Sequence, residues 1–461
     1  MKRLLALLLA VVLCLSGCSS LGGGSDILAM LSPPKEQADF LGIKEALQNH
    51  FSTAMDGKSN IIYLYPNSGE FRSPIVTCDL NRDGNPEAIV FYRMKNISFG
   101  LNIAFLTSNE KKEWRVCDIF SKVNIQAVDQ VQLLSMESEN STEVVITYKN
   151  YYNSRMVEVY GWKYDEITCY LEEKPYTEIG IMDFNYDGFE EMIVVHPLEY
   201  NSEMQASMYK LEQKILAVKT SAKWKTDTVT YKQSLVGTVC TPADMEEAQE
   251  TDHICGMILE RYVDNYSVQS EILYLNGGRL IHYRGNDSLR HTATEVPTDL
   301  DNDGVLEFPV STPGDKEAVW FTRWMKLRGE DLQVHLDCVT VHNYQQSYFL
   351  MLPEKWAWTY NLRISGDGSQ MIFYWMETPE GEILTNGMQE YAIDAKERQL
   401  LQIQVLRNKT WEAGKNSLYR QWFVISERED VTVVAIFLGK EPLSQGSYRV
   451  EDLRNAFHNI P

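Results

Sequence analysis

Apolar residues in this chain gather in short runs separated by turn-forming residues. AIVFY (88–92), MIVV (192–195), FPV (308–310), CGMILERY (255–262) and SEILYL (270–275) are strand-length and rich in β-branched and aromatic side chains, the pattern of β-strands. The same holds further on, in YFLMLPEKWAW (348–358), QMIFYWM (370–376), LLQIQVL (400–406), RQWFVIS (420–426) and VTVVAIFL (431–438). Helical spacing is confined to the two ends. In residues 33–51, Phe40, Ile43 and Leu47 fall on one face with Pro34 near the start, which predicts a helix. Residues 449–460, RVEDLRNAFHNI, predict a terminal helix. The expected class is therefore mainly β.

Three of the strand-like runs follow the same acidic loop. CDLNRDGNPEAIVFYR (78–93), DFNYDGFEEMIVV (183–195) and DLDNDGVLEFPV (299–310) all read D-x-[DN]-x-D-G-x-x-E before turning apolar. Oxygen donors at positions 1, 3 and 5 of a tight loop point to one centre. A backbone carbonyl at position 7 and an acid at position 9 complete a hard-oxygen shell suited to calcium. The expected ligands are Asp79, Asn81, Asp83, the carbonyl of Asn85 and Glu87; Asp183, Asn185, Asp187, the carbonyl of Phe189 and Glu191; and Asp299, Asp301, Asp303, the carbonyl of Val305 and Glu307. Gly84, Gly188 and Gly304 stand where the chain must bend with positive φ. An EF-hand is excluded, because it needs a glutamate at position 12 opening a helix. Position 12 is Val90, Val194 or Val310 here, inside a strand-like run. With four acids, the third loop is expected to hold a cation most tightly.

The loops begin at 79, 183 and 299. These intervals are about twice a period of roughly fifty to sixty residues, which implies intervening copies. One is SMESENSTEVVITY (135–148), with Ser135, Glu137 and Glu139 at positions 1, 3 and 5, Asn140 for glycine and Glu143 at position 9. It keeps the loop outline and is expected to lack the metal. Another falls near 236–261 without an acidic loop. Short strands on such a period suit about five propeller-like sheet units.

Composition narrows the function. A chain of 461 residues is long enough for two domains. Its 25 Tyr and 10 Trp argue against disorder. A net charge of −21 disfavours nucleic acid, whose phosphates reward clustered Lys and Arg. At the N-terminus, Lys2 and Arg3 precede the apolar run 4–15 and then Leu15-Ser16-Gly17-Cys18. This is the outline of an export signal, too short for a comfortable membrane span. Six cysteines follow Cys18 without zinc-site spacing, and Cys240 with Cys255 is the pair near enough in sequence to suggest a local bridge. Neither H-E-x-x-H, G-x-S-x-G nor a phosphate-binding glycine loop occurs. Ser108 to Lys111 matches S-x-x-K, too short a pattern to carry weight.

Residues 15–18 resemble the bacterial lipobox, which implies cleavage before Cys18 and a diacylglyceryl anchor on it. The acidic loops between strands resemble FG-GAP/VCBS-type repeats of integrin-like β-propellers, and residues 33–340 resemble bacterial VCBS-repeat lipoproteins. The resemblance implies structural calcium at the three intact loops. The tail loosely resembles PsbP/Mog1-type α/β domains, beside the alternative of an unrelated α+β domain. The expected organisation is a signal and lipobox at 1–18, a flexible tether at 19–32, a helix plus β-propeller-like repeat domain at 33–340, and a small α+β domain at 341–461. The expected role is a non-catalytic, extracytoplasmic lipoprotein, anchored to the bacterial cell membrane, that binds an extracellular protein or glycan. The alternative is a glycan-active propeller enzyme, a hydrolase or lyase.

Overall fold

The computed structural model describes residues 40–460 except 53–60, 139–140, 164–165, 199–201, 228–229, 243–252, 286, 311–320, 353–359, 376–398 and 439–449. The signal, Cys18, the tether and the opening of the predicted N-terminal helix lie outside the described residues, as do Glu139, Asn140, Trp356 and Trp358.

The chain is mainly β and arranged in several antiparallel sheets. Helix α1 (Phe40–Ser52) leads into the first sheet, made of β1 (Ile61–Tyr63), β2 (Ile75–Cys78), β3 (Glu87–Met94), β4 (Gly100–Ser108) and β5 (Trp114–Val123). β1 and β2 share one edge of β3. The second sheet runs β6 (Ile125–Leu134), β7 (Glu143–Asn150), β8 (Arg155–Lys163) and β9 (Glu166–Tyr176). The third runs β10 (Glu178–Met182), β11 (Glu191–Pro197), β12 (Glu203–Glu212) and β13 (Ile215–Lys225). A fourth meander follows, β14 (Tyr231–Thr241), β15 (Ile254–Tyr262), β16 (Ser267–Asn276) and β17 (Arg279–Tyr283), with β18 (Arg290–Thr292) beside β16.

A fifth meander is built from β19 (Phe308–Val310), β20 (Thr322–Arg328), β21 (Gln333–Asn343) and β22 (Tyr348–Leu352). It shares a ten-stranded sheet with the fourth, because β14 pairs with β20 in parallel. That sheet passes through residue 340 without a break. The last sheet contains β23 (Tyr360–Ile364), β24 (Gln370–Trp375), β25 (Gln399–Arg407), β26 (Phe423–Glu427) and β27 (Val431–Phe437). Short helices α2 (Asn408–Gly414) and α3 (Val450–Asn455) accompany it. The terminal helix is shorter than its sequence pattern suggested. Phe457–Asn459 leave it as β28 and pair with β22, because the edge of β22 offers backbone partners there. No closed barrel or propeller ring is formed among the described strands.

The apolar runs after the first two intact loops and the degenerate one are β3, β11 and β7, and the run after the loop from Asp299 is β19. β3, β7 and β11 are flanked on both edges and buried on both faces, so their sequences are continuously apolar. The fourth strands β5 and β13 lie at edges and show mixed burial with many exposed positions. Apolar clusters lie between successive sheets. Phe91 and Phe105 pack with Val131 and Ile146, Val159 with Val194, and Ile193 with Met257. Ile43 and Leu47 of α1 cover the outer face of the first sheet. No disulfide joins the six described cysteines. Cys240 and Cys255 do not bridge because register places Cys240 opposite Ile254 and Cys255 opposite Thr238.

Candidate cation loops

Each acidic loop opens a meander, leading into one of its early strands. Residues 79–86 lie between β2 and β3, 183–190 between β10 and β11, and the loop from Asp299 runs into β19 after a bridge between Thr298 and Glu307. The degenerate loop holds the same place between β6 and β7.

The loops wind themselves around the side chain at position 1. Asp79 accepts the N–H groups of Asp83 (3.1 Å) and Gly84 (2.9 Å). Asp183 does the same for Asp187 and Gly188, and Asp299 for Asp303 and Gly304. The position-3 oxygens of Asn81, Asn185 and Asp301 also accept the position-5 N–H. Position 5 in turn accepts the N–H of position 7, at Asn85, Phe189 and Val305. The turn needs φ near +90° at each glycine, although a Cβ there would touch nothing within 4 Å. Conformation, rather than space, selects glycine. Position 4 is also left-handed, at Arg82, Tyr186 and Asn302, a conformation the sequence pattern does not disclose.

Position 9 is fully buried in all four loops, at Glu87, Glu143, Glu191 and Glu307. One oxygen of each accepts the N–H of position 2: Leu80 (2.9 Å), Met136 (3.1 Å), Phe184 (3.1 Å) and Leu300 (2.6 Å). Burial pushes the Glu87 and Glu191 carboxyls above the usual range, and Glu307 up to about 7. A second backbone bond links all but the first of these loops, which has Pro86 at position 8, to the preceding meander. The position-8 N–H groups of Thr142, Glu190 and Leu306 donate to the carbonyls of Leu80, Ser135 and Thr238.

The other oxygen of the buried glutamate distinguishes the loops. In the first, Thr107 on β4 donates to Glu87 at 3.2 Å. In the other two, a lysine one strand beyond the loop's own, on β12 or β20, reaches into the loop. Lys210 contacts Asp187 and lies 2.9 Å from Glu191. Lys326 lies 2.9 Å from Asp301, 2.7 Å from Asp303 and 3.0 Å from Glu307. Burial works against the Lys326 charge, but the surrounding carboxylates outweigh it and raise its pKa. The same ammonium holds Asp303 below the usual range despite burial, as Lys210 does Asp187. Asp83, which lacks such a partner, is lowered chiefly by the Asn85 N–H. In the degenerate loop Lys214 serves Glu137 and Glu143.

Every expected ligand residue thus sits in its loop, but the lysines were missed. Their signal was a lysine 19 residues after the position-9 glutamate, at Lys210 and Lys326. The residues fit a hard cation, offering carboxylate, amide and carbonyl oxygens only. In the third loop, Asp299, Asp301, Asp303 and Glu307 bring oxygens within 4.8 Å of one another. The ranking of that loop as the tightest counted four acids and left out the ammonium already among them.

No family model matches the chain, and no curated protein does. Among solved structures, it is similar to a rhamnogalacturonan lyase, YesW, with TM-score 0.29, 9% identity and 68% of each chain covered. A putative 6-phosphogluconolactonase from Bacteroides uniformis gives 0.26 and 10%, covering 70% of this chain and 86% of that one. An AofleA mutant from Arthrobotrys oligospora gives 0.26 and 9%, covering 48% of this chain. The match spans 56% of the AofleA chain.

Proposed function

We propose that this chain is a non-catalytic, lipid-anchored surface protein whose successive sheets form a propeller-like scaffold braced by structural calcium, and that it serves to bind an extracellular glycan or protein. The observation that carries this reading is the use of the loop acids. The position-1 and position-9 carboxylates accept backbone N–H groups within their own loops, and the position-8 N–H groups tie two of the intact loops to the meander before. Such carboxylates hold strands together and are poorly placed to shuttle protons to a substrate. A groove of about 490 Å³ between the second and third sheets is lined by Glu70, Asp183 and Glu190. Asp183 is committed to Asp187 and Gly188, and Glu190 accepts the Ser135 N–H at 2.8 Å.

Calcium binding to the folded form alone stabilises by mass action. The first loop, with no lysine contact among the described residues, depends on it most. Thorough chelation lowers the melting temperature, and Asp83→Ala costs more stability with calcium present than with chelator. Paired melting curves test this. An unchanged melting point after chelation, or equal losses for the variant in both conditions, overturns the calcium brace.

A further inference from the structure

A meander that places its cation loop at one end places the turn between its second and third strands at the other. At that far end of the first two sheets, exposed aromatic side chains converge from separate turns. Phe99 closes the β3–β4 turn, and Tyr151 and Tyr152 form the β7–β8 turn. Their exposures are 44%, 57% and 79%. The Phe99 and Tyr151 rings meet edge-on at 4.7 Å, and Tyr151 and Tyr152 at 5.8 Å. Ile97 in the β3–β4 turn and Val123 at the end of β5, opposite Gly100, are also exposed. A contiguous exposed apolar patch of this kind marks a contact surface.

The patch is held rigid by backbone bonds. Asn124, in the link between the first two sheets, donates its N–H to the Phe99 carbonyl and accepts the Tyr151 N–H at 2.7 Å. Arg93 holds the first turn through the Ser98 carbonyl, and Asn150 accepts the N–H groups of Tyr152 and Ser154. Fixed rings lose little entropy on binding.

The surroundings point to the kind of occupant. In a chain of net charge −21, the turns 94–100, 123–125 and 150–155 contain no carboxylate side chain. They carry exposed Asn96, Asn124 and Asn153, none of whose side-chain amides bonds another group among the described residues. Aromatic faces suit the C–H face of a pyranose, and neutral amides pair donor and acceptor with its hydroxyls. Of the two cations in these turns, Arg155 is already held by the Thr177 carbonyl and Glu178, which leaves a charged peptide the exposed Lys95 to meet. We infer that Phe99, Tyr151 and Tyr152, flanked by these three asparagines, form a binding platform for a neutral pyranose glycan. This rests on the binding role proposed above and supplies its ligand class.

The test uses the full chain in detergent and titrates cellohexaose, mannohexaose and N-acetylchitohexaose by calorimetry. At least one hexamer binds. Tyr152→Ala and Phe99→Ala weaken it about tenfold each, the loss expected for one ring contact, with melting temperature unchanged. Tyr152→Phe retains binding, since the ring face is kept. Asn153→Ala weakens it through lost hydroxyl contacts. Absence of binding by all three hexamers overturns the platform, as does equal affinity in the alanine variants. If those variants instead lose capture of a deglycosylated protein, the occupant is polypeptide and the glycan assignment falls. Chromatography of the hexamer after incubation separates the two proposals. Shortened product would overturn the non-catalytic role while leaving the binding platform standing.

Discussion

Lys326 shows how one side chain changes the meaning of a motif. Its ammonium lies within 3.0 Å of three of the carboxylates that the sequence assigns to a cation, and its side chain is only 7% exposed. Removing one partner of a buried charge cluster leaves the others uncompensated, which costs about 3 kcal/mol. Lys326→Met should therefore be destabilised by about that amount in chelator. Calcium should restore most of it, because the ion then replaces the missing charge. The calcium-induced rise in melting temperature should be larger in Lys326→Met than in the parent. Equal loss with and without calcium would show that the third loop cannot accept the ion. The loop acids were legible because a cation site demands fixed donor spacing within one turn. The lysines were not, since they arrive from the strand after the loop's own and only the pairing of strands brings them in. The aromatic platform escaped notice for the same reason, as Phe99 and Tyr151 meet across two sheets.

The strand after each loop was readable as an element, since burial on both faces leaves a continuous apolar run. The edge strands β5 and β13 were less so, because polar positions break up their apolar pattern. Tail strands at 348–352, 370–375, 400–406, 423–426 and 431–437 match the reading. Residues 353–358 of the first run lie outside the described residues, and β23 (360–364) was not read as a strand. The terminal helix was overextended: Phe457 to Asn459 have a free strand edge to join, and long-range pairing overrode local periodicity. The loop glycines belong to this scale as well. Gly84→Ala meets no steric obstacle but keeps φ near +90°, so it should destabilise by about 1 kcal/mol. Gly366, with open space and no such φ, should tolerate alanine with no loss. Melting of the two variants side by side decides whether conformation is what fixes the loop glycine. Equal stability in both would refute that account.

Across the whole molecule, sequence anticipated a mainly β chain of repeated sheet units but not how those units join. The parallel pairing of β14 with β20 merges the fourth and fifth meanders, and no periodicity announces a parallel contact between residues so far apart. The thiols, likewise, are separated by register rather than by distance along the chain. With no disulfide among the six described cysteines, excess dithiothreitol should leave the melting temperature unchanged. A fall under reductant would reveal a bridge that the register forbids.

The apolar clusters between neighbouring sheets also set an order of assembly. The second, third and fourth meanders each pack on the one made just before, so most contacts can form while the chain is still emerging, and local contacts form fastest. β28 is the exception. Asn459 pairs with Tyr348, so the edge of β22 stays open until residues 457–459 have been made. Until then that edge is an unpaired template for another chain, and β28 acts as the latch that ends the hazard.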